Sequence, residues 1–347
     1  MRVLRRGVRG VPLLGALACL LLLASAAPAD ALKKAFTGPT RVNGVSQFPI
    51  YRDLGVSLFQ MQLNWRSTAR TRPADPTNPN DPAYVWPEDV DFALSESRSN
   101  RMEVLLLVQG TPAWANGGRG QEWAPTREQD YADFLTAASR RYPAVRHWMV
   151  WGEPSRTANY RPQQPPRYAR MLDASYAALK RQNPRNLVIG GNTFTAGNTR
   201  PLKWVREMKL PGGRPPRMDL YGHNPFTRRE PVLRRRPLGR DYADFSQLVG
   251  LQATVTRYLG KPRRKRVRLF LSEFTIPTAR GDSEFSFFFS PRTQARWITS
   301  GFRVARQVRA YGFGWIHLYD QPGPPIFGGL IDARGAKKPG YFAFKRG

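Results

Sequence analysis

A single-domain α/β chain folded as a (β/α)8 TIM barrel is the architecture this sequence predicts, and three observations carry it. Apolar, β-rich runs alternate with amphipathic helical stretches at a spacing of about 30–50 residues, the pattern of parallel strands joined by crossover helices. The strand-like runs reach eight once a weakly marked first strand is placed within residues 35–45, the number that closes a barrel. No glycine-rich phosphate loop follows the first strand, which argues against an open nucleotide-binding sheet.

The elements follow in order. Residues 56–63 read as the second strand, with Asn64-Trp65 at its end, and residues 73–82, rich in Pro, Asn and Asp, as a surface loop after it. Residues 87–100 carry helical apolar spacing and lead to a third strand at 102–108. The helix at 127–142 places Tyr131, Phe134, Leu135, Ala138 and Tyr142 on one face and precedes the strand at 147–151. Helix 166–182 and strand 186–190 come next, then a short helix at 202–208 and a strand at 218–222. A helix at 242–259, a strand at 267–271, a long helix at 292–311 and a strand at 314–318 complete the series. No composition break marks a second domain, so residues 32–347 are expected to form one barrel.

The first 26 residues stand apart. Arg2, Arg5, Arg6 and Arg9 precede an apolar run over residues 11–24, and Ala24-Ser25-Ala26 offers the small-x-small pattern of signal cleavage. The run is short for a membrane span, so a cleaved signal peptide and a secreted chain are expected, with an uncleaved anchor as the alternative. The only cysteine, Cys19, lies inside it, leaving the mature chain without disulfides or thiolate chemistry.

The whole chain carries a net charge of +30; removing the four leader arginines leaves +26. Basic clusters occur at Arg228-Arg229, Arg234-Arg235-Arg236 and Arg263-Arg264-Lys265-Arg266. No recognition helix, zinc finger or RNA-binding motif accompanies them, which argues against nucleic acid as the partner. Loop arginines are ordinarily solvated charge; the other pull of such clusters is toward acidic polymers of a cell envelope. A high like charge also favours a soluble monomer.

Chemistry in such a barrel sits where strands end. Two ends carry a lone glutamate directly after an apolar run: Val150-Trp151-Gly152-Glu153-Pro154 and Leu271-Ser272-Glu273-Phe274. A carboxylate there is costly to bury, and two of them across one barrel mouth are the equipment for cleaving a glycosidic bond. Each alone has a plainer use, Glu153 as a charge at a helix start and Glu273 as the partner of a barrel arginine. The other strand ends supply Asn64, Trp65, Trp114, Trp151, Asn192, His223, Asn224 and Trp315 as candidates for binding sugar hydroxyls and ring faces. Any single aromatic among them is equally suited to the core.

These residues resemble a known group. The chain is similar to clan A glycoside hydrolases, closest in pattern to the family 39 barrels that include β-xylosidases, and to cellulase-like barrels. The resemblance runs through Thr111-Pro112-Ala113-Trp114-Ala115, Arg141-Tyr142-Pro143, Trp151-Gly152-Glu153-Pro154, the segments 184–191 and 219–226, and Ser272-Glu273-Phe274. It ends on Gly329-Leu330-Ile331-Asp332 with Lys338-Pro339-Gly340-Tyr341. It implies Glu153 as general acid/base and Glu273 as nucleophile of a retaining double displacement, with a carbohydrate substrate and no metal or organic cofactor. Glu153 should then start protonated, its pKa raised by an apolar wall, to which Trp151 and Trp315 would contribute, and by its negative neighbour.

Three positions depart from the family pattern. Gly152 stands where an asparagine usually precedes the acid/base, Gln60 and Gln62 occupy the region of a strand-two arginine, and Phe226 replaces a strand-six tyrosine. The departures leave a second expectation open, a catalytically impaired barrel that binds carbohydrate.

Overall fold

The structure is a computed structural model that describes residues 31–233, 236–260 and 266–347. The leader with Cys19, Arg234-Arg235 and Arg263-Arg264-Lys265 therefore lie outside the described residues. The unit Leu32–Gly347 is built on eight strands: β1 (Lys33–Thr37), β2 (Leu58–Asn64), β3 (Glu103–Gln109), β4 (His147–Val150), β5 (Leu187–Phe194), β6 (Leu220–Asn224), β7 (Arg268–Leu271) and β8 (Gly312–Ile316). Every neighbouring pair is parallel, and β8 returns to β1 to close the barrel. Around it lie α1 (Phe48–Asp53), α2 (Glu88–Ser99), α3 (Glu128–Arg141), α4 (Pro165–Gln182), α5 (Pro201–Glu207), α6 (Leu248–Leu259), α7 (Pro291–Gln307) and α8 (Pro339–Arg346). Among the described residues no helix is long and apolar enough to cross a membrane.

Strand alternation explains where the site sits. Inward-facing residues at the bottom form an apolar layer of Ala35, Leu58, Leu105, Met149, Ile189, Leu220 and Phe270, one from each of seven strands. The eighth strand contributes Gly312, whose missing side chain makes room for the Phe270 ring; a Cβ there would lie 2.7 Å from it. One layer higher the inward positions turn polar, with Gln60 donating from Nε2 to the Ser272 carbonyl oxygen at 2.8 Å. The helix-facing sides of the strands pack the larger core, where Trp148, Trp204 and Trp315 are fully buried. Burial of each such side chain contributes roughly 1.5–3 kcal/mol.

The differences from the predicted elements have local causes. β1 begins at Lys33, ahead of the predicted window, because Lys33 and Lys34 hide a strand; Lys33 pairs with Glu103 and Lys34 reaches the Lys345 carbonyl. Residues 41–46 instead fold into a small hairpin around Asn43-Gly44, both with positive φ. β5 runs on to Phe194 through a register shift between Gly190 and Thr193. α7 stops at Gln307, and α8, unmarked by helical periodicity, packs Phe344 on Phe302 with ring centroids 5.2 Å apart.

Candidate active site

The bulge in β5 aims the first polar group of the site. Gly191 and Asn192 both take positive φ, +82° and +41°, which turns the Asn192 side chain into the barrel mouth. There Ser272 Oγ lies 2.6 Å from Asn192 Oδ1 and 2.5 Å from Asn224 Oδ1. A hydroxyl carries one hydrogen, so it serves both oxygens by sharing it, and among the described residues Asn192 Nδ2 has no partner. Asn224, at the end of β6, donates in turn from Nδ2 to Glu153 Oε1 at 2.9 Å. Three strands thus hold one carboxylate oxygen in place.

The other oxygen of Glu153 accepts from Arg156 Nη1 at 2.6 Å, three residues further along the same loop. Arg156 also lies over Phe194, its guanidinium carbon 4.8 Å from the ring centroid. Glu153 itself is buried at 6% exposure and has φ +44°, and Trp151 two residues earlier has φ +69°. A left-handed non-glycine residue costs on the order of 1–2 kcal/mol, so two of them beside one carboxylate mark a place where position outweighs backbone comfort.

Glu273 has no such donors. Among the described residues it makes no hydrogen bond, and burial together with the charges of Glu153 and Glu284 pushes its pKa up to about 8, against a smaller opposing pull from Arg156. Glu273 is therefore the carboxyl that burial favours in its protonated form, while Glu153 is the one that hydrogen-bond donors surround. In place of the expected apolar wall, Glu153 meets two donors, one from the end of β6 and one from Arg156.

Both glutamates line one cavity of about 690 Å³ at the C-terminal ends of β4 to β8. A second cavity of about 500 Å³, over the ends of β1 and β8, shares Glu273 and Ile316 with it. The first is walled by Phe194, Phe226, Phe285 and Phe287, whose rings follow one another at 5.4–5.5 Å, and by Leu238 and Tyr242. Glu284 faces the same space and is bound by His317 Nε2 at 2.9 Å, which lowers its pKa. The loop bearing these phenylalanines is ordered by Asp282, whose Oδ1 accepts the backbone N–H groups of Glu284 and Phe285. This wall is what sequence reasoning missed; the available signal was the run Phe285-Ser286-Phe287-Phe288-Phe289, too apolar for an idle loop.

The remaining predicted residues have other places. Trp65, Trp151 and Trp315 are in the core: Trp65 stacks on Phe134 (5.7 Å), Trp151 donates to Asn159 O (2.8 Å), and Trp315 donates to Gly328 O (3.2 Å). Neither Trp151 nor Trp315 forms the expected wall of the Glu153 cavity. Trp114 is half-buried under Arg72 and donates to Ala69 O. Asn64 caps the short helix Trp65–Thr68 through Ser67 N at 3.0 Å. His223 is fully buried between Thr193 Oγ1 (2.9 Å) and Ala243 O (2.6 Å), and burial pushes its pKa down to about 4, so it is neutral. Of the eight binding candidates, Asn224 touches a glutamate and Asn192 reaches it through Ser272 and Asn224.

The departures also become physical. The space that an asparagine at position 152 would need is taken by Gln109, whose Oε1 accepts the Gly152 N–H at 3.1 Å and would lie 2.7 Å from a Cβ there. Phe226 gives its position an apolar face, and its ring continues the aromatic wall.

No protein-family model and no curated protein sequence matches the chain. Solved structures do. A family 39 glycoside hydrolase from the gut symbiont Bacteroides cellulosilyticus WH2 superposes with a TM-score of 0.69 at 17% identity, covering 90% of this chain and 62% of its own. A glucosidase from Croceicoccus marinus gives 0.65 at 17% identity, covering 90% and 66%, and a monomeric β-xylosidase from Caulobacter crescentus CB15 gives 0.62 at 17%, also covering 90% and 66%. The chain thus spans about two thirds of the length of these enzymes. What it shares with them over nearly all of its described residues is the architecture: this chain has the (β/α)8 barrel fold of the family 39 glycoside hydrolases.

Proposed function

We propose that the chain is a secreted retaining glycosidase that cleaves β-glycosidic bonds of an oligo- or polysaccharide, with Glu153 as acid/base and Glu273 as nucleophile. One observation carries the proposal: two carboxyls from the ends of β4 and β7 line the same cavity, where burial and the Glu153 charge favour a proton on Glu273. In the first step a Glu273 oxygen bonds to the anomeric carbon as the glycosidic C–O bond breaks, and Glu153 passes the shared proton to the departing oxygen. In the second step Glu153 takes a proton from water, whose oxygen displaces Glu273 and restores the starting pair. The proton must therefore move from Glu273 to Glu153 as substrate enters, which requires Arg156 to leave Glu153. Growing positive charge on the sugar beside Glu273 favours that transfer. The basic surface supports an acidic envelope polymer as the surroundings in which such an enzyme works.

The double hold on Glu153 favours a second reading, in which Glu153 is the nucleophile and Glu273 the acid. Trapping with activated 2-deoxy-2-fluoro glycosides and peptide mass analysis separates the two. A label on Glu273 supports the first assignment, and a label on Glu153 exchanges the roles. No label, with no turnover across a broad panel of β-glycosides, leaves a carbohydrate-binding barrel and ends the hydrolytic reading. N-terminal sequencing of the exported chain tests secretion.

A further inference from the structure

We propose that the end of the barrel opposite the mouth, where the strands begin, is a docking face for an anionic lipid surface. The proposal is independent of the chemistry in the cavity and concerns where the molecule is held.

Topology builds this face. In a barrel of alternating strands and helices, every helix-to-strand connection falls at the end where strands begin. Six connections carry an arginine within three residues of the next strand: Arg101 before β3, Arg146 before β4, Arg185 before β5, Arg217 before β6, Arg266 before β7 and Arg309 before β8. β1 begins on Lys33 and Lys34, of which Lys33 meets Glu103, the first residue of β3. Among the described residues of these connections Asp219 is the only acid, and Lys180 pairs with it at 2.9 Å. The mouth differs. Its cations are interspersed with acids, as in the pairs Arg229–Asp244 and Lys338–Asp320.

The fold does not use most of these charges. Arg217 is tied to Asp173 at 2.8 Å, but Arg101, Arg185 and Arg309 are exposed, and among the described residues their side chains form no ion pair or hydrogen bond. Arg101 and Arg309 stand just past the ends of α2 and α7 with φ +61° and +51°, the left-handed position that glycine fills at least cost. Arginine at both is a charge held against the local backbone preference. Among the described residues none of the exposed large hydrophobics lies in these connections, so the face offers charge and no apolar wedge. A ring of cations facing one way meets a plane of anions all at once, whereas a single polymer strand passes along one arc of it. The anionic headgroups of a bilayer are such a plane. Docked in this way, the molecule turns the cavity of Glu153 and Glu273 away from the membrane.

The test is co-sedimentation of the exported chain with vesicles of phosphatidylcholine alone and of phosphatidylcholine with one third phosphatidylglycerol. Binding to the mixed vesicles and not to the neutral ones is expected, and it should fall steeply as salt is raised. Arg101→Gly, Arg185→Gln and Arg309→Gly together should weaken it about 100-fold, at about 5-fold for each arginine. The two glycines suit the backbone they enter, and thermal unfolding checks that the fold is kept. Arg185→Glu alone should act in the same direction. Arg70→Gln, Arg119→Gln and Arg280→Gln, an equal loss of charge on loops of the mouth, should change binding by less than about 3-fold. Equal losses in the two triple variants would mean that net charge binds and not this face, which overturns the proposal. Equal binding to neutral vesicles overturns it too. A soluble acidic polysaccharide, alginate, forms the last arm: capture of alginate that the first triple variant abolishes, with no binding to either vesicle, would make the partner a polymer and end the lipid reading.

Discussion

Replacing Glu273 by glutamine should stop catalysis and stabilise the fold, and the gain should depend on pH. A glutamate titrates near 4.5 in the unfolded chain and here is pushed up to about 8, chiefly by burial and then by the Glu153 charge. Below pH 4.5 it is protonated in both states and contributes nothing. Between 4.5 and about 8 the unfolded chain releases a proton that the folded chain keeps, so stability falls as pH rises, and above 8 the loss is complete. Each pH unit of that interval costs roughly 1.4 kcal/mol, so at pH 9 the ionised side chain opposes folding by on the order of 5 kcal/mol. An unfolding entropy of about 2.1 cal/mol/K per residue over about 320 residues converts this to a Tm gain of roughly 7 °C for Glu273→Gln at pH 9, and to none at pH 4. Thermal unfolding of both proteins across that range is the assay. A gain that is the same at both ends, or absent at pH 9, would refute the placement of the shared proton on Glu273.

Four further outcomes follow from the same site. The alkaline limb of kcat/KM should fall near pH 8, where the pair loses its shared proton, and Arg156→Gln should move that limb upward because the Arg156 charge holds Glu273 down; a limb that stays in place contradicts the coupling. Asn224→Ala, which removes the donor to Glu153, should lower kcat by about 10²-fold with KM within a few-fold, as steady-state kinetics would show. Gly152→Asn should destabilise the protein alone but not beside Gln109→Ala, with a coupling of about 1–2 kcal/mol in a double-mutant cycle; additive effects would mean that the two side chains do not compete. His147 and His223, both pushed down to about 4 by burial, are neutral when folded. Their contribution is present above pH 6.5 and lost as pH falls toward 4, so unfolding of a Glu273→Gln background should steepen there by about 2.7 kcal/mol per pH unit, and adding His147→Gln should halve that slope.

What the sequence disclosed and what it hid divide along a physical line. Strands such as Glu103–Gln109 are buried on both faces and read as continuous apolar runs, so the barrel was legible in their spacing. Glu153 and Glu273 were legible for the opposite reason, as charges where the pattern demands apolar residues. The tryptophans misdirect because a ring that suits a sugar face also suits a core, and only packing decides; Trp65 and Trp151 are committed to Phe134 and Tyr160. Loop geometry has no period, so the phenylalanine wall and the Arg156 lock could not be read from spacing.

The lock has a consequence for how such a site keeps selectivity. With Arg156 on Glu153 and burial raising the pKa of Glu273, the site favours a protonated Glu273, which under the assigned roles does no chemistry. A ligand activates it only by supplying something that competes for Arg156 or displaces it over Phe194. A sugar that merely fills the cavity leaves the pair as it was, and by differential binding gains no rate. Selection is thereby placed in the step that moves a proton between two glutamates rather than in the fit of the ring, and the phenylalanine walls, which suit many sugars, need not discriminate.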